Sequence, residues 1–108
     1  MLRLLAPLVL LGSVLAPAKA HQIESALHYL DGNLQLNSSF SNGEPTQGAV
    51  VRLLNADGTP GQELGRTDAE GRLSLDLSSV GNGTVDLQVD GGPGHRDYLE
   101  LPVQDGEV

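Results

Sequence analysis

Beyond its first 20 residues this chain nowhere sustains a helical period. Short runs of alternating apolar and polar residues are instead broken by Gly-, Asp- and Asn-rich punctuation about every ten residues. Alternation places every second side chain on one face of a strand, and an isolated strand or hairpin cannot bury that face. A chain written this way has to stack its strands into two facing sheets.

The runs can be read off in order. Gln22–Leu30 and Leu34–Phe40 flank Asp31-Gly32-Asn33, a turn of the hairpin type, and Leu34, Leu36, Ser38 and Phe40 share one face. Ser41–Gly48 reads as a loop. Ala49–Asn55 carries Val50, Val51, Leu53 and Leu54, apolar on both faces, and Asp57-Gly58-Thr59-Pro60-Gly61 turns the chain again. Gln62–Thr67 leads through Asp68-Ala69-Glu70-Gly71 into Arg72–Leu77. Thr84–Val89 and Asp97–Val103 follow, separated by Asp90–Arg96. The expectation is an all-β fold: an antiparallel sandwich of about seven strands, immunoglobulin-like or prealbumin-like. With one Phe and two Tyr in the chain, its core must be mostly Leu and Val.

The first residues, MLRLLAPLVLLGSVLAPAKA, have a different character. Arg3 gives a basic start, Leu4 to Leu15 an apolar stretch too short to span a bilayer, and Ala18-Lys19-Ala20 a small-x-small ending. That is the pattern of a secretory signal, so the expected organisation is a signal peptide over 1–20 and a single β-sandwich domain over 21–108. In a bacterium the product would be periplasmic, with no membrane span in the mature chain.

Composition removes several functional classes. There is no cysteine, so neither a disulfide nor a thiolate site is available. Cleavage after Ala20 leaves four arginines against fourteen acids. That balance argues against nucleic acid and anionic membrane surfaces as partners. The chain holds no nucleophile elbow, no phosphate-cradling Gly-rich loop opening a helix and no His-Glu-x-x-His helix, so it reads as a binder and not an enzyme. An N-terminal histidine also occurs in the copper brace of oxidative polysaccharide enzymes, but a domain this small lacks the broad substrate face they present.

The chemistry lies in the three histidines. Cleavage after Ala20 makes His21 the first residue, and its free α-amine and imidazole then form one chelate suited to nickel, copper or zinc. The α-amine has a reference pKa of about 7.7–8.0, so a competing metal displaces its proton at modest cost. His95 lies in Gly91-Gly92-Pro93-Gly94-His95-Arg96, where glycines allow close approach to an ion. If the first and last strands share a sheet or an edge, His21 and His95 can meet. His28 is the weaker candidate. Seven extended residues separate it from His21 by roughly 23 Å, and the odd spacing puts the two on opposite faces. Leu27 and Tyr29 are expected to face the core with Ile23, turning His28 to solvent. Glu24 and Asp97 are carboxylates that could complete a coordination shell.

A family resemblance follows from the order of these motifs. After the leading His21 come a hairpin, Phe40-Ser41-Asn42-Gly43-Glu44-Pro45, the strand Ala49–Leu54, the stretch Gly65-Arg66-Thr67-Asp68-Ala69-Glu70-Gly71-Arg72-Leu73, and Gly94-His95-Arg96. The chain resembles the small extracytoplasmic accessory proteins of energy-coupling-factor nickel and cobalt uptake systems, which are related to carboxypeptidase-regulatory-like, prealbumin-type domains. The likeness runs from about His21 to Val103. Its Gly-x-Thr-Asp-x-x-Gly-x-Leu part marks the sandwich broadly, whereas His21 with Gly94-His95-Arg96 implies the metal positions. The resemblance implies Ni(II) or Co(II) as the bound ion and a membrane nickel/cobalt transporter as a partner. Such proteins often continue into a C-terminal membrane helix, where this chain has Gln104-Asp105-Gly106-Glu107-Val108. Arg96 is expected to be structural, in a surface salt bridge or orienting a carboxylate. Two alternatives stay open: a periplasmic carrier of Cu(II) using the same nitrogens, and a metal-free Ig-like interaction module.

Overall fold

The computed structural model describes residues 22–108; the expected signal peptide over 1–20 and His21 lie outside the described residues. Seven strands form: β1 (Ile23–Leu30), β2 (Asn33–Phe40), β3 (Val50–Leu54), β4 (Pro60–Arg66), β5 (Arg72–Leu75), β6 (Gly83–Asp90) and β7 (Arg96–Val103). No helix occurs among the described residues. All pairings are antiparallel, in a three-stranded sheet of order β1-β2-β5 and a four-stranded sheet of order β4-β3-β6-β7.

Each expected run becomes a strand, with ends that shift for local reasons. Gln22 falls outside β1, and Ala49 and Asn55 flank β3. The strand expected from Gln62 already starts at Pro60, because Leu54 pairs with it across the turn. The run expected to reach Leu77 stops at Leu75, since the Asp76 carboxylate accepts the Ser78 N–H at 2.9 Å and bends the chain away. β3 and β4 slip register where Val51 faces Gly65 but Arg52 faces Glu63, so Leu64 is the extra residue of a bulge.

One apolar cluster fills the space between the sheets. Ile23, Leu34, Leu36 and Leu75 point into it from the three-stranded sheet; Val51, Leu87, Val89, Leu101 and Val103 meet them from the other. Leu36, Val51, Leu87 and Val89 are fully excluded from solvent, on the strands at the middle of their sheets. Burying such a side chain contributes about 1.5–3 kcal/mol. β6 buries three successive residues, Leu87, Gln88 and Val89. Gln88 faces outward, yet it is covered by its cross-strand partners: its Oε1 accepts from Arg52 at 3.2 Å and its Nε2 donates to the Tyr98 hydroxyl at 3.3 Å.

Tyr29 does not reach the core as expected. It lies on the inward-facing side of β1 with Ile23 and Leu27, but it is 47% exposed. Burial along that face fades from Ile23 through Leu27 to Tyr29. The Tyr29 hydroxyl instead accepts the Val108 backbone N–H at 3.0 Å.

The turn at Asp68–Gly71 fixes how the sheets connect. The Asp68 carboxylate accepts the N–H groups of Glu70 and Arg72, both at 2.9 Å, and its carbonyl accepts that of Gly71. Gly71 has φ +77°, and a Cβ there would run into the Ser38 carbonyl oxygen. Only glycine permits this approach, which lets the Gly71 carbonyl accept the Ser38 N–H at 2.8 Å.

Candidate functional site

Four segments meet at one end of the sandwich: the head of β1, the loop after β2, the Asp68–Gly71 turn and the β6–β7 loop that carries His95. The β6–β7 loop is closed by two backbone hydrogen bonds of 2.8 Å, Gly91 N–H to the His95 carbonyl and His95 N–H to the Gly92 carbonyl. Asp90, the last residue of β6, anchors it. Its Oδ1 accepts the Gly92 N–H at 2.9 Å and the Arg96 Nε–H at 3.1 Å, while Arg52 approaches Oδ2 at 3.5 Å. The Gly92 N–H first, then the Arg96 and Arg52 charges, hold the Asp90 carboxyl below the usual range, against partial burial that acts the other way. Below the loop, a Cβ on Gly91 would stand 3.4 Å from the methyl group of Thr46, so loop and buried Thr46 are in close packing.

His95 is half-buried, and its imidazole packs edge-on against Phe40, with ring centroids 5.7 Å apart and planes at 89°. Phe40 ends β2 and pairs with Ile23 at the start of β1. His95 thus leaves a loop of the four-stranded sheet and lies on a ring of the three-stranded one. The head of β1 is held at the same place from two sides. The Gln22 carbonyl accepts the Ser41 N–H at 2.7 Å, and Asp97 Oδ2 accepts the Ser25 N–H at 2.7 Å. β1 and β7 belong to different sheets, so the same-sheet arrangement does not occur; they are edge strands that pack side by side along one seam.

The sequence-derived candidates separate accordingly. His95 lies at this end, beside the point where the chain enters β1 at Gln22. His21 lies outside the described residues. His28 is exposed, five residues along β1 from Ile23 and so roughly 16 Å away, and its Nε2 lies 3.2 Å from Gln35 Oε1, its cross-strand neighbour. It joins neither His95 nor a carboxylate cluster. Arg96 makes the salt bridge expected of it, with Asp90, and its side chain is 45% exposed. Asp97 is already engaged through both oxygens, Oδ1 accepting the Tyr98 N–H at 2.9 Å. Among the described residues, no three His, Asp or Glu side chains gather to hold an ion. At this end they supply a single imidazole, that of His95.

Three features escaped the sequence. Asp90 could have been found, since Asp followed by two glycines is an Asx-turn signal. The Phe40–His95 contact and the Ser25–Asp97 bond join residues 55 and 72 positions apart, and no local pattern announces them. Comparison of the chain with family models, with curated proteins and with solved structures finds no match.

Proposed function

We propose that this chain is an extracytoplasmic metal-binding accessory protein, an immunoglobulin-like or prealbumin-type sandwich that captures Ni(II), or Co(II), for uptake by a membrane transporter. Removal of the leader would expose His21 as a chelate of amine and imidazole nitrogens. His95 would add a second imidazole, and water would complete the shell. The observation that supports this most is the location of His95: it packs on Phe40, the cross-strand partner of Ile23, two residues from His21. The role is capture and release. A half-buried loop imidazole and a chain terminus are accessible to an incoming ligand exchange, and nitrogen donors suit divalent late transition metals. Arg96 serves to close the loop through Asp90 and takes no part in binding the ion.

Every buried core side chain among the described residues lies between Ile23 and Val103, so the processed chain from His21 retains all of them. Nickel titrated into that chain should bind and raise its unfolding temperature, as a ligand of the folded state must. His95→Ala should weaken nickel binding by roughly a hundredfold, about the value of one lost nitrogen donor among few (on the order of 3 kcal/mol). Binding unchanged by His95→Ala would remove that residue from the site. No binding at all would leave the metal-free interaction module as the better reading, and Cu(II) in place of nickel tests the copper carrier on the same donors.

A further inference from the structure

The Ser25–Asp97 bond has a geometry that sets it apart from ordinary sheet pairing. Ser25 is opposite Ser38 in the β1–β2 ladder. The Ser38 N–H donates to the Gly71 carbonyl and its own carbonyl accepts the Thr46 N–H, both away from β1, so the two serines form a pair without backbone hydrogen bonds between them. The Ser25 N–H therefore points off the outer edge of the sheet, where it would have no strand partner. Asp97, on the edge strand of the other sheet, accepts it at 2.7 Å, a short charge-assisted bond. Asp97 is two residues beyond His95, and Ser25 is two residues beyond Ile23, which pairs with the Phe40 that His95 packs against. Side-chain contact between the serines, Ser25 Oγ to Ser38 Oγ at 3.1 Å, ties the same point back to β2.

From this we infer that Asp97 is a positioning residue: its carboxylate fixes the head of β1, the strand that His21 precedes by two residues, against the His95 loop before an ion arrives. The inference rests on the metal-binding reading above. Asp97 acts through the Ser25 backbone and not as a ligand, both of its oxygens being taken by backbone N–H groups. β1 and β7 are edge strands of separate sheets, so without the bond the head of β1 could move away from the His95 loop, and apparent affinity would fall with the fraction of chains in the binding-competent arrangement.

The test uses the processed chain from His21 with Asp97→Ala and Asp97→Asn, since an Asn carbonyl can still accept the Ser25 N–H. Two quantities are read: amide hydrogen exchange at Ser25 without metal, and nickel affinity. In Asp97→Ala, Ser25 exchange should quicken and nickel binding weaken, each by roughly tenfold or more. Asp97→Asn should recover part of both losses, and in step: its one amide oxygen can accept the Ser25 N–H, while the Tyr98 N–H loses its acceptor. Nickel affinity that is lost in Asp97→Asn while Ser25 stays protected from exchange would overturn the inference, making Asp97 a ligand or a charge. So would wild-type affinity in an Asp97→Ala chain, or Ser25 exchange that Asp97→Ala leaves unchanged. If the wild type itself fails to bind nickel, the metal reading falls, and the exchange measurement alone then decides whether Asp97 holds the strand.

Discussion

The two ends of the sandwich are built from the same turn chemistry and put it to different use. At the end away from His95, Asp57 accepts the Thr59 N–H at 3.0 Å and its hydroxyl at 2.6 Å, and Gly58 takes φ +85° with nothing within 4 Å of where a Cβ would be. At the His95 end, Asp68 and Gly71 make a similar turn, but Gly71 is pressed on the Ser38 carbonyl and the Thr46 N–H. Around it the bonds cross between loops and are buried. Thr67 Oγ1 donates to the Thr46 carbonyl at 2.6 Å and accepts the Ala49 N–H at 2.8 Å. One end merely reverses the chain; the other ties both sheets into a fixed platform for the β6–β7 loop. Rigid support of that kind is what a site on loops requires.

The contrast predicts a ranked set of effects on stability, each measurable by urea unfolding. The largest belongs to Gly71→Ala. It adds strain at positive φ to a backbone collision, for a loss of about 3–5 kcal/mol, whereas Gly58→Ala should cost only the strain, about 1 kcal/mol. A similar cost at both glycines would mean that the two ends are equally loose. Next is Thr67→Val, which strands a buried carbonyl and a buried N–H and should cost about 2–3 kcal/mol. Its counterpart Thr59→Val, at an exposed turn, should stay within about 0.5–1 kcal/mol. The smallest effect is electrostatic. Because the pKa of the Asp90 carboxyl is depressed in the folded chain, the stability it contributes is present above its unfolded pKa, the ordinary aspartate value near 3.8, and is lost as pH falls through the lower folded value. Asp90→Asn should therefore flatten the decline in unfolding midpoint below about pH 4 while leaving the slope above pH 5 alone.

What the sequence disclosed follows the same division. Turns such as Asp31-Gly32 and Asp57-Gly58, and alternation as clear as Leu34, Leu36 and Ser38, are local, and they located every strand. Which strands would share a sheet is not local. β2 pairs with β5 across β3 and β4 of the other sheet, and β3 pairs with β6 across β4 of its own sheet and β5 of the other. Tyr29 meets the same limit: its place in the alternation is right, but its exposure depends on what packs against that end of β1, which no local pattern states. The candidate site divides likewise. His95 stood out by its glycines, while Phe40, Ser25 and Asp97, which give it a setting, are joined only by the fold.

The central claim, that the free terminus of His21 is half of a nickel site completed at His95, has a direct test. Nickel is titrated calorimetrically into the chain beginning at His21 and into the same chain with one glycine added before it. The added residue turns the amine of His21 into an amide and breaks the chelate without touching the sandwich, so binding by the first chain and its loss in the second is the predicted result. Equal binding by both would contradict it and move the site to internal residues.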